Sequence, residues 1–266
     1  HAMSWARASE GFGTARSVSA PIRNQKRADS VVAFPDDRID DLLWQGFEIA
    51  RFKDDRRAWV RLNLRDILIT LLCLYGGVRQ SEAMHLWVDD VFEEPGDPSS
   101  CKVLIHSPES GACDYIDPLT GAKARTSRID FLHRFCNQKR PLTLETGRRR
   151  AGWKGGLLTR QDRNAIQVFW IDPVAGRLFR RLWQLYIARV RPIQPQTPWA
   201  FLTKYGQPMG TAAYAESFKQ AALKIGLAPS KWTGATPHSL RHRYGQWLND
   251  LELSEKAGQL CLHHAS

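Results

Sequence analysis

The sequence predicts an α+β domain that is mainly helical and carries a small antiparallel β-sheet. Three observations lead to this fold class. Apolar residues recur at helical spacing in the first third of the chain and again in the last third. Between these regions lie short strand-like segments, separated by clusters of Pro, Gly and Asp. The 266 residues are also enough to bury a sizeable core.

Helices are predicted wherever apolar residues follow the period of 3.6 residues. The second of these helices runs into Gly76-Gly77, a pair typical of a helix C-terminus. The predicted helices cover 39–52, 55–74, 81–86, a stretch that begins at Pro173, 212–225, 239–251 and 254–262.

Strands are predicted in the middle of the chain, where apolar runs are short and turn residues are frequent. An irregular basic stretch over 137–163 interrupts this region and is longer than most loops. The predicted strands cover 88–92, 102–106, 128–135 and 166–171.

Residues 1–34 are predicted to precede the folded domain. His1-Ala2-Met3 resembles a cloning scar, and the rest of this stretch is polar, basic and without a helical or strand period. We expect a flexible linker or arm over 1–34 and a single domain over 35–266.

The charge balance favours a polyanionic partner. The chain has 38 Lys and Arg against 27 Asp and Glu, a formal net charge of +11 and a sequence pI of about 9.7. Nucleic acid is the commonest partner of such a surface, and a basic surface without a specific partner is the alternative.

The cysteines and the hydropathy pattern suggest a cytoplasmic protein. The five cysteines are widely spaced and form no CxxC, which argues against a disulfide framework or a structural zinc site. A reducing cytoplasm is therefore the expected location. No apolar run is long enough to cross a bilayer, so no membrane partner is expected.

The first motif is the junction at 76–86. An apolar helix ends in two glycines, and Arg79 stands at the start of the next helix. A helix start attracts anions through its free N–H groups, and an arginine adds a planar fork that matches a phosphate. The alternative is an ordinary turn in which Arg79 pairs with Glu82 or Asp89.

The second motif lies at 236–244, where His238 and Arg241 are three residues apart and share one face of a helix. Arginine can bind the non-bridging oxygens of a phosphodiester while histidine donates a hydrogen bond or moves a proton. The alternative is a capped helix with a solvated basic face. A third motif, His263-His264, has no carboxylate nearby, which argues against a metal site.

Together and in this order, G-G-V-R-x-S-E-A-x-x-L, T-P-H-x-L-R-H and L-x-H-A-S resemble the motifs of the tyrosine recombinases, or phage-integrase family. The resemblance covers about residues 36 to 266. It implies the catalytic domain of a site-specific recombinase that breaks and rejoins DNA through a 3′-phosphotyrosyl intermediate, as the integrase of a mobile element. It also implies that neither a metal nor another cofactor is needed.

The resemblance carries the family's catalytic positions over to this chain. Glu82 matches an acidic residue that supports the site. His263 stands where the family usually has glycine, so the choice between His263 and its neighbour His264 stays open. The positions that match catalytic residues are Arg79, His238, Arg241 and His264.

The family also has a lysine on a β-hairpin turn, which protonates the leaving 5′-oxygen. The stretch 121–132 fits that turn and its strand in length, although glycines that flank the family's lysine are replaced here. Lys123 is therefore the candidate, with Lys102 as the second choice.

The nucleophile is expected beyond the end of this chain. In the family the tyrosine follows the L-x-H-A-S box, and the chain ends at Ser266. Tyr244 matches a core position and is predicted to pack. The chain as it stands is thus expected to bind DNA without cleaving it. A non-catalytic DNA-binding protein of the same fold is the alternative, and the T-P-H-S-L-R-H box argues against a type IB topoisomerase.

The basic stretch at 137–163 is predicted to contact the DNA backbone, and a solvated insertion is the alternative. Its expected contacts are Arg148, Arg149, Arg150 and Lys154. The resemblance implies double-stranded DNA as the partner and a homotetramer on DNA, or a monomer for this fragment alone. A metal-dependent nuclease is disfavoured, because no carboxylate cluster accompanies these motifs.

Overall fold

The computed structural model describes residues 32–194, 196–251 and 253–263. Its helices are α1 (Ile39–Asp41), α2 (Ala58–Arg61), α3 (Leu64–Tyr75), α4 (Gln80–Ala83), α5 (Arg128–Phe135), α6 (Pro173–Arg189), α7 (Thr211–Lys224), α8 (Pro237–Asp250) and α9 (Glu255–Leu262). Its strands are β1 (Val91–Glu94), β2 (Asp97–His106), β3 (Ala112–Ile116), β4 (Lys123–Ser127) and β5 (Ala165–Gln167). The predicted α+β class, mainly helical with small antiparallel sheets, is confirmed.

The strands form two antiparallel sheets. The larger has the order β1-β2-β5, and in it His106 at the end of β2 faces Ala165 at the start of β5. The chain between these paired residues, 107–164, contains the β3–β4 hairpin and α5. Two neighbouring strands are thus joined by a long excursion rather than by a tight turn.

Helix α3 is the centre of the core. Every side chain from Ile67 to Leu74 is buried, including the polar Thr70. The Thr70 hydroxyl donates to the Asp66 carbonyl at 2.7 Å and lies 2.9 Å from the Tyr214 hydroxyl, so its burial leaves no unpaired polar group. Since α3 packs against both α6 and α8, it fixes the position of the motif that α8 carries.

The two predicted N-terminal helices are shorter in the structure. The first changes to π-helical geometry over Leu42–Gly46, where Gly46 lies so close to α7 that a Cβ would stand 3.0 Å from the Ala221 carbonyl oxygen. The second is divided by extended backbone at Leu62. Asn63 then caps α3 by accepting from the Asp66 N–H, a position that asparagine prefers to a helix interior.

The strand predicted over 128–135 is wrong, because this segment is helix α5. Ser127 caps the helix through the Asp130 N–H. Arg128 then turns inward, where it pairs with the buried Asp90 and stands 4.0 Å above the ring of Trp87. The cap and these tertiary contacts of Arg128 override the strand propensity of the aromatic residues in the segment.

The start of the chain differs in one respect from the prediction. Of the expected linker, residues 1–31 lie outside the described residues. Phe34, which the sequence places at its end, is buried in the core, and its N–H donates to the Ser239 carbonyl at 3.1 Å. Among the described helices, none is long and apolar enough to cross a membrane.

Candidate active site

Arg79 is held from behind by a buried carboxylate. It precedes α4, and Glu82 lies one turn further along that helix with its side chain fully buried. The Glu82 carboxylate accepts from the Arg79 N–H at 2.9 Å and from its Nη1 at 2.6 Å. The pairing of Arg79 with Glu82 is therefore real, and it fixes the arginine while leaving its other N–H groups free to bind an anion.

Arg241 is held by two backbone carbonyls. It lies on α8, is only 5% exposed, and donates through Nη1 to the Gly77 carbonyl and through Nη2 to the Leu262 carbonyl. Burial, followed by repulsion from Arg79, lowers the pKa of Arg241 to about 10. The guanidinium thus remains charged at neutral pH and ties α8 to the glycine turn and to the end of α9.

His238 and His242 lie one turn apart on α8. Their rings contact edge to face, with centroids 4.3 Å apart. Partial burial lowers the pKa of His238 well below its usual value, and the nearby His242, Arg241, Lys154 and Arg79 lower it further. His238 is therefore neutral at pH 7, able to accept one proton and to donate one hydrogen bond.

These side chains line one cleft of about 520 Å³. Of the described residues around it, three are cations and none is a carboxylate, so the cleft favours an anion. The polar side chains along α8 repeat at helical spacing and extend the cleft away from the two arginines. The lining residues are Arg79, Lys154, His238, Arg241, His242, Gly245, Gln246, Asn249 and Leu262.

The structure thus brings Arg79, His238 and Arg241 together, as the motifs predict. The sequence analysis missed His242, Gln246 and Asn249 as cleft residues. Their spacing of four, eight and eleven residues from His238 could have identified them, because it continues the same face of α8.

His263 occupies a position at the back of the cleft. It ends α9 in the left-handed conformation with φ 52°, and its ring is buried with Nε2 2.9 Å from the Gln167 carbonyl oxygen. Burial lowers its pKa to about 4. The ring is not among those that line the cleft. His264 lies outside the described residues.

The two lysines favoured by the resemblance do not reach the cleft. Lys123 is the first residue of β4, faces Ile116, and lines a cavity of about 560 Å³ that shares no residue with the cleft. Lys102 lies within β2 opposite Phe92. The lysine that does line the cleft is Lys154.

The arginines of the basic stretch lie on the surface beside α7. Arg148, Arg149 and Arg150 are exposed, and the Arg150 carbonyl accepts from the Thr211 N–H at 3.2 Å. Arg149 pairs with Glu145 at 3.4 Å and lines a second polar cavity of about 570 Å³. Of the four basic residues predicted to contact DNA, only Lys154 therefore belongs to the cleft.

The six tyrosines of the chain all lie in the described part, and none lines the cleft. Tyr244 is fully buried, and its hydroxyl donates to the Phe169 carbonyl at 2.9 Å. Burial raises the pKa of this hydroxyl. The expectation that Tyr244 packs in the core is confirmed.

Three solved structures show the same fold as this chain. They are the Tn1549 transposon integrase in complex with transposon right-end DNA (TM-score 0.51, 15% identity), the XerH site-specific recombinase bound to a palindromic difH substrate (0.52, 15%) and the XerA recombinase (0.52, 14%). Each similarity covers 91% of this chain, but only 60%, 49% and 58% of the respective matched chain. No protein-family model and no curated protein sequence matches the chain. The chain therefore has the fold of the tyrosine recombinase catalytic domain.

Proposed function

We propose that the protein is a DNA strand transferase, and that the cleft on α8 binds the scissile phosphate of double-stranded DNA. The observation that carries this proposal is the convergence of Arg79, Arg241 and His238 on one cleft. Two recombinases with this fold are described in complexes with DNA, which supports DNA as the partner of this chain too.

In the proposed reaction a tyrosine hydroxyl attacks the phosphorus, the bond to the 5′-oxygen breaks, and a 3′-phosphotyrosyl ester forms. Arg79 and Arg241 bind the non-bridging oxygens, whose negative charge grows in the transition state. His238 is neutral and accepts the proton of the attacking hydroxyl. We propose that His264 donates a hydrogen bond to the phosphate and that Glu82 supports Arg79.

The nucleophile is proposed to come from a segment that follows Ser266, since none of the six tyrosines lines the cleft. That same observation supports the second candidate, a DNA-binding protein of this fold that does not cleave. Under the first candidate, a 5′-hydroxyl from another strand attacks the phosphotyrosyl ester, which reverses the step and exchanges the strands. We propose that this exchange takes place within a tetramer and serves a mobile element.

The test compares this chain with a version extended by the codons that follow in the native gene. Both are incubated with nicked duplexes that cover the element ends, and SDS-resistant protein–DNA adducts are measured. We expect adducts with the longer protein. Arg79→Lys and Arg241→Lys keep the charge but lose the planar fork, so adducts should fall by about 100-fold or more.

Arg177→Lys is the matched control, because Arg177 is on the surface of α6 and pairs with Asp97. It should leave the adduct yield unchanged. Adducts that persist in Arg79→Lys and Arg241→Lys would contradict the proposed site. Salt-sensitive duplex binding without adducts in either protein would favour the non-catalytic candidate.

A further inference from the structure

Lys154 reaches the cleft through the chain between two paired strands. The excursion over 107–164 leaves β2 after His106 and returns to β5 at Ala165, which faces it. Near its end the excursion passes the cleft, where Lys154 lines the same space as Arg79, His238 and Arg241. Lys154 is also close enough to His238 to act on it electrostatically, because the charge of Lys154 is one of those that lower the pKa of His238.

The backbone on both sides of Lys154 is fixed, although its side chain is exposed. Before it, the ring of Trp153 packs on the ring of the buried His85, with centroids 5.7 Å apart. After it, the Leu157 N–H donates to the His263 carbonyl at 3.3 Å. Gly156 lies so close to the same carbonyl that any side chain there would clash. The ammonium group is thus carried by a positioned loop.

The cleft needs a group that can give up a proton, because an alkoxide is a poor leaving group unless it is protonated as it departs. The guanidinium groups of Arg79 and Arg241 keep their protons. His238 is neutral and acts on the attacking side. Of the described residues that line the cleft, Lys154 is the only primary ammonium group.

We propose that Lys154, rather than Lys123, is the general acid of this cleft. A proton moves from the Lys154 ammonium to the 5′-oxygen as the phosphorus–oxygen bond breaks and the bond to the tyrosine oxygen forms. In the reverse step the neutral amine takes the proton back from the incoming 5′-hydroxyl. This inference rests on the proposed strand transfer and names one residue of it.

The test uses the extended protein and two versions of one nicked duplex, which carry oxygen or sulfur as the bridging atom at the 5′ position of the scissile phosphate. A thiol has a pKa of about 8.5, so a thiolate leaves without being protonated. Lys154→Ala should slow cleavage of the oxygen substrate by about 10²- to 10⁴-fold and leave the sulfur substrate within about tenfold of the wild type.

Two further variants make this result specific. Lys139→Ala removes an exposed lysine of the same excursion that does not line the cleft, and it should not discriminate between the two substrates. Arg79→Lys should slow both substrates alike, because it acts on the non-bridging oxygens. Lys123→Ala tests the competing assignment.

Two results would overturn the assignment. Equal slowing of both substrates by Lys154→Ala would reduce Lys154 to a DNA contact. If Lys123→Ala slows cleavage of the oxygen substrate but not of the sulfur substrate, Lys123 is the general acid instead. If the wild-type extended protein cleaves neither substrate, the proposed strand transfer itself fails, and the assignment of Lys154 fails with it.

Discussion

At the scale of the residue, His263 combines an unfavourable backbone conformation with a buried ring that contacts a backbone carbonyl. Left-handed backbone is disfavoured for residues with a Cβ, and glycine usually fills this position after a helix. The ring compensates by filling a buried space and meeting the Gln167 carbonyl. The motif alone left the choice between His263 and His264 open, and the structure gives His263 a supporting position behind the cleft.

A matched pair of variants separates these two effects. His263→Ala and His263→Gly both remove the ring and its contacts, but only glycine relieves the left-handed backbone at φ 52°. We expect the free energy of unfolding of His263→Gly to be about 1 kcal/mol higher than that of His263→Ala. Urea denaturation measures the difference. Equal stabilities would mean that the backbone at this position is not strained in solution.

At the scale of the element, the contact between the glycine turn and α8 joins the two arginines of the cleft. Gly77 has φ 63° and leaves no room for a Cβ beside the ring of Tyr244. Its carbonyl accepts from Arg241. The sequence predicts the two glycines only as the end of a helix. It does not show that the Gly77 carbonyl also binds Arg241.

Tyr244→Phe tests whether this tyrosine is structural. The variant keeps the ring against Gly77 and removes the hydrogen bond to the Phe169 carbonyl, which should lower the free energy of unfolding by about 1 kcal/mol. The adduct yield of the extended protein should not change. Tyr205→Phe, at a side chain 75% exposed, is the control and should change neither quantity. Loss of adducts in Tyr244→Phe would instead make Tyr244 the nucleophile.

The elements that the sequence predicted well are those with many apolar residues at one period, such as α3, α6 and α8. The wrong prediction at 128–135 has a physical reason. Phe131 and Phe135 read as strand formers, but at a spacing of four they pack together on one face of α5, with centroids 5.1 Å apart. A short segment with a cap and aromatic residues cannot be assigned by propensity alone.

At the scale of the whole molecule, two buried histidines make the fold sensitive to acid. Burial lowers the pKa of His85 and of His263 to about 4, whereas an unfolded histidine titrates near 6.5. Above that pH both states are neutral and the stability is complete. Between about pH 6.5 and 4 only the unfolded chain binds the protons, so the free energy of unfolding falls as the pH falls.

This loss can be measured by urea denaturation at a series of pH values. Each histidine should contribute a slope of about 1.4 kcal/mol per pH unit within that range. His85→Gln should be less stable at pH 7 and should remove one such contribution from the slope. His133→Gln, at an exposed position on α5, is the control and should leave the slope as it is. A stability that does not change from pH 6.5 to 4.5 would contradict the prediction.

The sequence predicted that Arg79, His238 and Arg241 come together in one cleft, because these residues lie within short motifs. It named Lys154 only as one of four expected DNA-backbone contacts, because no local pattern distinguishes this lysine from the other basic residues of 137–163. Lys154 reaches the cleft only because β5 pairs with β2 and a glycine packs on the end of α9. Such contacts between distant segments are decided by tertiary packing.

The pairing of β2 with β5 also has a kinetic consequence. A tight turn would let these strands zip together early, but here the whole excursion over 107–164 must first be closed into a loop. The entropic cost of closing a loop rises by about 0.6 kcal/mol for each doubling of its length. Closing this excursion therefore costs about 2.4 kcal/mol more than closing a turn of four residues. Strand β5 should therefore join β2 late in folding, after the helices have packed around α3, and the loop that carries Lys154 should be among the last parts to reach its place.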